Sequence, residues 1–346
     1  MPYTAKAGRY TTGANWFRRC GRSGLQLPAV SLGCWHNFGE AGSDAGLHRD
    51  EAAQHENCRQ MLFTAFDLGI THFDLANTYG PPFGAAESRV GRILREDLAA
   101  YRDELIISTK AGWTMWPGPY GDWGSRKHVL ASLDQSLRRL GLEYVDIFYS
   151  HRFDPHTPLE ETLFALDTAV RSGKALYAGI SAYDGLHTTE VVRICQSHGW
   201  VQPIIHQPNY SLLRRNPERD VFPACEQHGM GTIAYCPLAQ GLLTSKYLGA
   251  VPADSRVRQE KGALREEQLQ PAVLEKVRTL HALAQERGQS LAQMSLAWAL
   301  RGNLTSALIG ASRPSQITEN AACLSRGAFS PEELQRIDAI LDGRKA

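Results

Sequence analysis

The sequence predicts a closed (β/α)8 or TIM barrel: eight parallel strands ringed by helices, with an N-terminal β-hairpin and extra C-terminal helices. Three observations predict it. Short apolar runs alternate with stretches of helical apolar spacing, and that alternation recurs eight times along the chain. No strand-like run opens onto G-x-G-x-x-G, so a doubly wound dinucleotide fold would lack its usual phosphate cradle. The chain has 346 residues, and a plain barrel takes roughly 250. The hairpin, the loops 111–124 and 236–270 and the extra helices absorb the surplus.

In chain order, residues 1–15 read as a flexible tail and 16–346 as one barrel domain. Trp16 to Pro28 holds the turn Cys20-Gly-Arg-Ser-Gly24 between short apolar segments, which predicts a hairpin. Val30–Cys34 is the first barrel strand, and His36–Asp50 a glycine-rich loop. Cys58, Met61, Leu62, Ala65 and Phe66 recur at helical spacing, and Gly69 stops that helix. The strand 70–74 follows, then a helix over 86–98 and the strand Leu105–Thr109, ending at Lys110.

Ser125 caps a helix that Gly141 closes. Val145–Tyr149 is a strand ending near His151, and Thr157-Pro-Leu-Glu160 has the pattern of a capping box with proline at the first helical position. Strands at 176–180, 204–206, 232–235 and 305–309 alternate with helices at 186–198 and 217–228, a pair after residue 270, and one ending near Leu324. Ser290-Leu-Ala-Gln293 and Ser330-Pro-Glu-Glu333 are two more capping boxes.

Composition narrows the class. Apolar residues make up 43% and charged residues 21%, with 37 basic and 36 acidic side chains, so no charge excess points to nucleic acid or an anionic membrane. No apolar run is long enough to span a bilayer, and the first ten residues carry no apolar core of a secretion signal. Seven scattered cysteines without C-x-x-C predict free thiols in a reducing cytoplasm. The histidines lack metal-ligand spacing, so no metal is expected.

A barrel gathers the C-terminal ends of its strands at one mouth. Asp74 ends the second predicted barrel strand, Tyr79 lies in the loop after it, Lys110 ends the third, and His151 follows the fourth. Singly, each has a bland explanation as a cap, a packed ring or a solvated charge. Together they make a coherent acid. A phenol holds its proton at neutral pH. A neighbouring ammonium eases its release, Asp74 would keep Lys110 charged and in place, and His151 would donate to a carbonyl oxygen. Tyr79 is then the general acid of a carbonyl reduction, given a hydride donor.

Phe73-Asp-Leu-Ala-Asn-Thr-Tyr79, Ile107-Ser-Thr-Lys110 and Tyr149-Ser-His151 resemble the catalytic segments of the aldo-keto reductases. The resemblance runs from Arg19-Cys-Gly-Arg-Ser-Gly-Leu25 to Ile309-Gly-Ala-Ser-Arg313. It implies an NADP(H)-dependent barrel with Asp74, Tyr79, Lys110 and His151 as catalytic tetrad. Met115-Trp-Pro-Gly-Pro-Tyr-Gly121 and Pro237-Leu-Ala-Gln-Gly-Leu-Leu243 are similar to segments of the bacterial L-glyceraldehyde 3-phosphate reductases, and the potassium-channel β-subunits form a related branch.

The same resemblance carries binding roles. Trp35, Ser181, Gln207 and Tyr235 match positions around the nicotinamide, with Asp74 beside them. Leu238, Gln240, Gly241 and Lys246 match the loop over the pyrophosphate. Gly310, Ser312, Arg313, Gln316, Glu319 and Asn320 match the adenosine end, where a helix N-terminus favours phosphate. Trp35, Tyr79, Trp113 and His151 match substrate contacts. Two departures stand out: Ala182 replaces an asparagine of many relatives, and Gly310 and Gln316 stand where basic residues are common. That leaves Arg313 as the main cation for a 2′-phosphate.

The resemblance further implies a cytoplasmic homo-oligomer, a tetramer or octamer, acting on a small aldehyde such as L-glyceraldehyde 3-phosphate or methylglyoxal. The Trp113, Trp116 and Tyr120 cluster, with Arg126, Lys127 and Arg152 near in sequence, suits a short anionic aldehyde. Two other readings stand beside it: a nucleotide-loaded redox sensor that regulates a partner, and a barrel aldolase using Lys110 as a Schiff base.

Overall fold

The computed structural model of the chain describes residues 3–13, 15–42, 48–248 and 269–343. Strands β1 (Phe17–Arg19) and β2 (Gln26–Pro28) form the antiparallel hairpin, with Phe17 opposite Pro28. Eight parallel strands then close on themselves: β3 (Val30–Gly33), β4 (His72–Asp74), β5 (Ile106–Ala111), β6 (Val145–Ser150), β7 (Ala175–Ser181), β8 (Ile205–Gln207), β9 (Gly231–Ala234) and β10 (Ser306–Ile309). Each pairs with its neighbour in sequence, and β10 completes the ring against β3. The predicted barrel and hairpin are therefore observed.

The helices α1 (Glu51–Asp67), α2 (Ala85–Ile93), α3 (Arg126–Leu140), α4 (Leu159–Arg171), α5 (Gly185–His198) and α6 (Val221–His228) each connect one strand to the next. Helices α7 (Pro271–Glu286) and α8 (Leu291–Ala299) lie between β9 and β10, and α9 (Pro314–Ala321) and α10 (Pro331–Asp342) follow β10. Local chemistry sets their ends. Ser125 accepts from the His128 amide at the start of α3, and Gly141 adopts φ 67° at its close. Ser290 and Ser330 both form complete capping boxes, as their sequences predict.

Strand alternation divides the core in two. On β6, Phe148 packs outward with the helices, whereas Ile147 and Tyr149 face inward with Ile205, Ile233 and Leu308. The hairpin supplies Cys20 and Leu27 to this inner cluster, and the Arg22 amide donates to the Gly229 carbonyl at 2.8 Å. It therefore plugs the end of the barrel opposite the strand C-termini. Gly21 has φ 56°, and a Cβ there would stand 2.2 Å from the Gly229 oxygen, so the close approach of hairpin and barrel needs glycine.

Three expectations are corrected. The N-terminal segment is docked, not loose: Tyr3 stacks on Phe63 at 3.9 Å and donates to Asp67 at 2.7 Å, and Arg9 pairs with Glu104 at 2.5 Å. Aromatic and ionic anchors over α1 outweigh the chain entropy that a polar tail would keep. The capping box at Thr157 does not form, because α4 begins at Leu159 and no side chain caps it. The Thr157 hydroxyl is engaged by the Asp154 carboxylate instead. The helix expected over 86–98 changes character at Leu94, continuing as one π turn to Leu98 and a 3-10 segment to Glu104. Parts of the predicted loops, 43–47 and 249–268, lie outside the described residues, as do residues 1, 2, 14 and 344–346.

Candidate active site

The site is assembled by strand register. On β4, His72 and Asp74 share the inward face, and on β5, Ser108 and Lys110 do. Asp74 stands opposite Ser108, and Lys110 opposite Tyr149. Tyr149 in turn stands opposite Gly179 on β7, where a Cβ would come within 2.5 Å of the tyrosine ring. A side chain at 179 would push Tyr149 toward Lys110, so the glycine makes room beneath the site.

Lys110 is completely buried and makes three contacts at the strand ends. Its Nζ donates to Asp74 Oδ2 at 2.5 Å and to the Leu75 carbonyl at 2.7 Å, and lies 3.3 Å from the Tyr79 hydroxyl. Asp74 Oδ1 accepts from Ser108 Oγ at 2.7 Å and from Gln207 Nε2 at 3.2 Å. The carboxylate is thus ringed by donors and paired with a cation, which lets a charge persist in a dry interior.

The electrostatics keep the phenol protonated. Burial pushes the Tyr79 hydroxyl well above its ordinary value, and the Asp74 charge acts the same way. Lys110 does not reverse that direction. Burial also lowers Lys110, with Asp74 opposing it. His151 is pushed far down, first by burial and then by the Lys110 and Arg152 charges, so its imidazole is neutral. Its Nδ1 is buried without a hydrogen-bond partner among the described residues. The tautomer with its proton on Nε2 leaves only a lone pair unpartnered there, and keeps a donor for a ligand.

Aromatic rings line the approach. The Tyr79 ring lies 6.1 Å from Trp35 and 5.9 Å from His151, and His151 lies 6.3 Å from Trp113. Trp35 and Trp113 remain 40% and 46% exposed, which places both rings at an open mouth and not in a packed core. The four predicted substrate positions are therefore brought together.

Of the three cations near the aromatic loop, one is at the mouth. Arg152 packs 3.8 Å over Trp113 and 3.5 Å over Trp123, and bonds Asp122 at 2.7 Å and the Gly112 carbonyl at 2.8 Å. Arg126 lies over Phe164 on the helix layer, and Lys127 over Tyr120.

Positions matched to a nicotinamide cofactor fall in two neighbouring places. Ser181 Oγ donates to the Gln207 carbonyl at 2.9 Å, tying both to the Asp74 end, and Tyr235 is half-buried beside them. Leu238, Gln240, Gly241 and Lys246 occupy the loop after β9; Gln240 holds φ 58° and Lys246 is exposed. Gly310, Ser312, Arg313, Gln316, Glu319 and Asn320 follow β10, which pairs with β9, so both loops open at one mouth. Helix α9 has no side-chain cap, and among the described residues the exposed Arg313 guanidinium meets only the Ser315 hydroxyl, at 3.0 Å. The Gln316 Oε1 accepts from the Ser312 amide and hydroxyl.

Sequence reasoning missed the support beneath the tetrad. His72 Nε2 lies 2.9 Å from Ser108 Oγ and its Nδ1 2.9 Å from Ser31 Oγ, itself 2.7 Å from Ser306 Oγ. The signal was present as His72-x-Asp74 and Ser108-x-Lys110, two period-2 pairs of polar residues in apolar strands. Among the described residues no His, Cys, Asp or Glu group is arranged to hold a metal, and all seven cysteines are free.

A model of the aldo/keto reductase family matches residues 29–342. The L-glyceraldehyde 3-phosphate reductase of Escherichia coli (strain K12) is 54% identical over 350 residues, covering 99% of this chain and 97% of that protein. A putative voltage-gated potassium channel subunit beta of Schizosaccharomyces pombe is 35% identical, covering 94% and 93%. A probable voltage-gated potassium channel subunit beta of Arabidopsis thaliana is 36% identical, covering 95% and 97%.

Proposed function

This chain belongs to the aldo/keto reductase family and is an oxidoreductase, and from that premise we propose that it reduces short aldehydes with NADPH, Tyr79 giving the proton. L-glyceraldehyde 3-phosphate and methylglyoxal are the substrates we name. The observation that carries the reading is the Lys110 contact to both Asp74 and Tyr79 at the mouth.

Bound NADPH would supply the hydride. The residues present suit it: an uncapped helix N-terminus beside an exposed Arg313 favours phosphate, and Ser181 and Gln207 offer polar groups beside Asp74. The chain's own part is acid chemistry and orientation. His151 donates from Nε2 to the carbonyl oxygen and fixes it near the Tyr79 hydroxyl. As negative charge develops on that oxygen, it becomes basic enough to take the phenolic proton. The buried Lys110 ammonium then steadies the phenolate that remains. Trp35 and Trp113 narrow the entrance and favour small substrates.

Residues 16–346 form one catalytic barrel in this reading, working in the cytoplasm as a homo-oligomer. The identity to proteins named as channel subunits supports a second reading, a nucleotide-loaded regulatory barrel. The 2.5 Å pairing of Lys110 to Asp74 argues against a Schiff-base aldolase, which needs a lysine free to deprotonate. Assaying a panel of aldehydes with NADPH and with NADH separates these readings. Turnover of short aldehydes supports the reductase, and cofactor binding without turnover would favour the regulatory barrel.

A further inference from the structure

Beneath the tetrad runs an unbroken chain of buried side chains: Ser306, Ser31, His72, Ser108, Asp74 and Lys110, each within hydrogen-bond distance of the next. All six are buried, and all five links join side chains on adjacent strands of the barrel wall. The chain has one polarity. Asp74 only accepts, so Ser108 must give its proton to Oδ1. Ser108 can then only accept from His72, so Nε2 carries the ring proton. The bare Nδ1 accepts from Ser31, and Ser31 accepts from Ser306. Burial holds the imidazole down to about 4, which leaves one ring proton to place.

We propose that His72 is a positioning residue for carbonyl reduction: as the Nε2–H tautomer it forces the Ser108 hydroxyl to donate to Asp74, and so fixes how Asp74 holds Lys110 against Tyr79. The proposal rests on the reductase reading of the site. His72 touches neither Tyr79 nor the mouth; it acts through Ser108. Without it the Ser108 hydroxyl is free to rotate, and Oδ1 of Asp74 keeps only the longer contact from Gln207. A less satisfied carboxylate competes harder for the Lys110 proton and repels a developing Tyr79 phenolate more strongly. Both effects slow proton delivery, and neither His72 nor Ser108 is among the positions matched to the cofactor. The charged and titratable groups around this pathway are Asp74 and Lys110 facing His72, with Cys34, Tyr235 and Cys236 also facing Tyr79.

The test uses the full chain. Glutamine places an amide nitrogen near the position of Nε2, asparagine near that of Nδ1. His72→Asn and Ser108→Ala should each lower kcat about tenfold, the share of a charge-assisted hydrogen bond felt at the acid, with KM for NADPH unchanged. His72→Gln should restore most of that loss. The His72→Asn/Ser108→Ala double variant should fall no further than either single one, because both cut the same link. Ser108→Ala at wild-type kcat, or additive losses in the double variant, would overturn the proposal. Should the His72 variants fail to fold, nitrogen-15 NMR of the labelled wild-type chain decides. The proposal requires a neutral ring with its proton on Nε2 across the neutral pH range, and a proton on Nδ1 or an imidazolium would overturn it. Absence of turnover by the wild-type chain would instead count against the reductase reading, and the NMR experiment would still decide the polarity.

Discussion

Lys110 and Asp74 meet at 2.5 Å across neighbouring strand ends, and neither side chain is exposed to solvent at all. The pair is costly to bury and therefore costly to break. Lys110→Met keeps the length of the side chain and removes the charge, leaving Asp74 buried with no cation. We expect a loss of about 3 kcal/mol in unfolding free energy, read by denaturant titration, with reductase activity falling about 100-fold or more. Pairing it with Asp74→Leu should recover part of the stability and none of the activity. A Lys110→Met variant as stable as wild type would mean that the pair is not charged.

The second prediction concerns Arg313. A guanidinium beside an uncapped helix start gives a 2′-phosphate a charge-assisted contact, worth roughly 1.5–3 kcal/mol. Arg313→Ala should weaken NADPH binding about 10- to 150-fold and leave NADH nearly unchanged, at 1.4 kcal/mol per decade. Fluorescence titration of both cofactors separates this from stacking on the adenine, which would cost the two equally. Ser312 holds only the Gln316 Oε1, so any share Gln316 takes falls to its amide Nε2, an uncharged donor.

Arg152 bears on substrate choice. Its Nε and Nη2 are used by Gly112 and Asp122, and Trp113 and Trp123 cover its plane. Arg152→Ala should raise KM for all short aldehydes by loosening Trp113. If the remaining guanidinium edge meets a phosphate, the kcat/KM ratio of L-glyceraldehyde 3-phosphate over methylglyoxal should also fall about tenfold. Equal losses on both would leave Arg152 as a brace for the aromatic wall and remove it from phosphate recognition.

Sequence made much of this legible where a local rule sets the outcome. Alternating strand and helix patterns give the barrel, and serine boxes and Gly141 fix helix ends through contacts a few residues apart. The meeting of Asp74, Tyr79, Lys110 and His151 was legible because strand ends in a barrel converge. What escaped depends on which distant side chain completes a contact. The docking of Tyr3 needs Phe63 and Asp67, and the Thr157 hydroxyl turns to Asp154 and gives up its cap. Arg126 and Arg152 look alike in sequence, but one helix face and one strand end send them to Phe164 and to Trp113. That the Tyr79 phenol keeps its proton at rest was legible from its ordinary value, whereas the burial and the Asp74 charge that hold it there depend on distant packing.

The central claim is that Tyr79 gives the proton, and Tyr79→Phe tests it most directly. Phenylalanine keeps the ring that packs between Trp35 and His151 and removes only the hydroxyl. The account predicts a folded variant with unchanged NADPH affinity and a kcat for short aldehydes reduced about 100- to 10,000-fold. Retention of most of the wild-type kcat, measured with saturating NADPH, would contradict it.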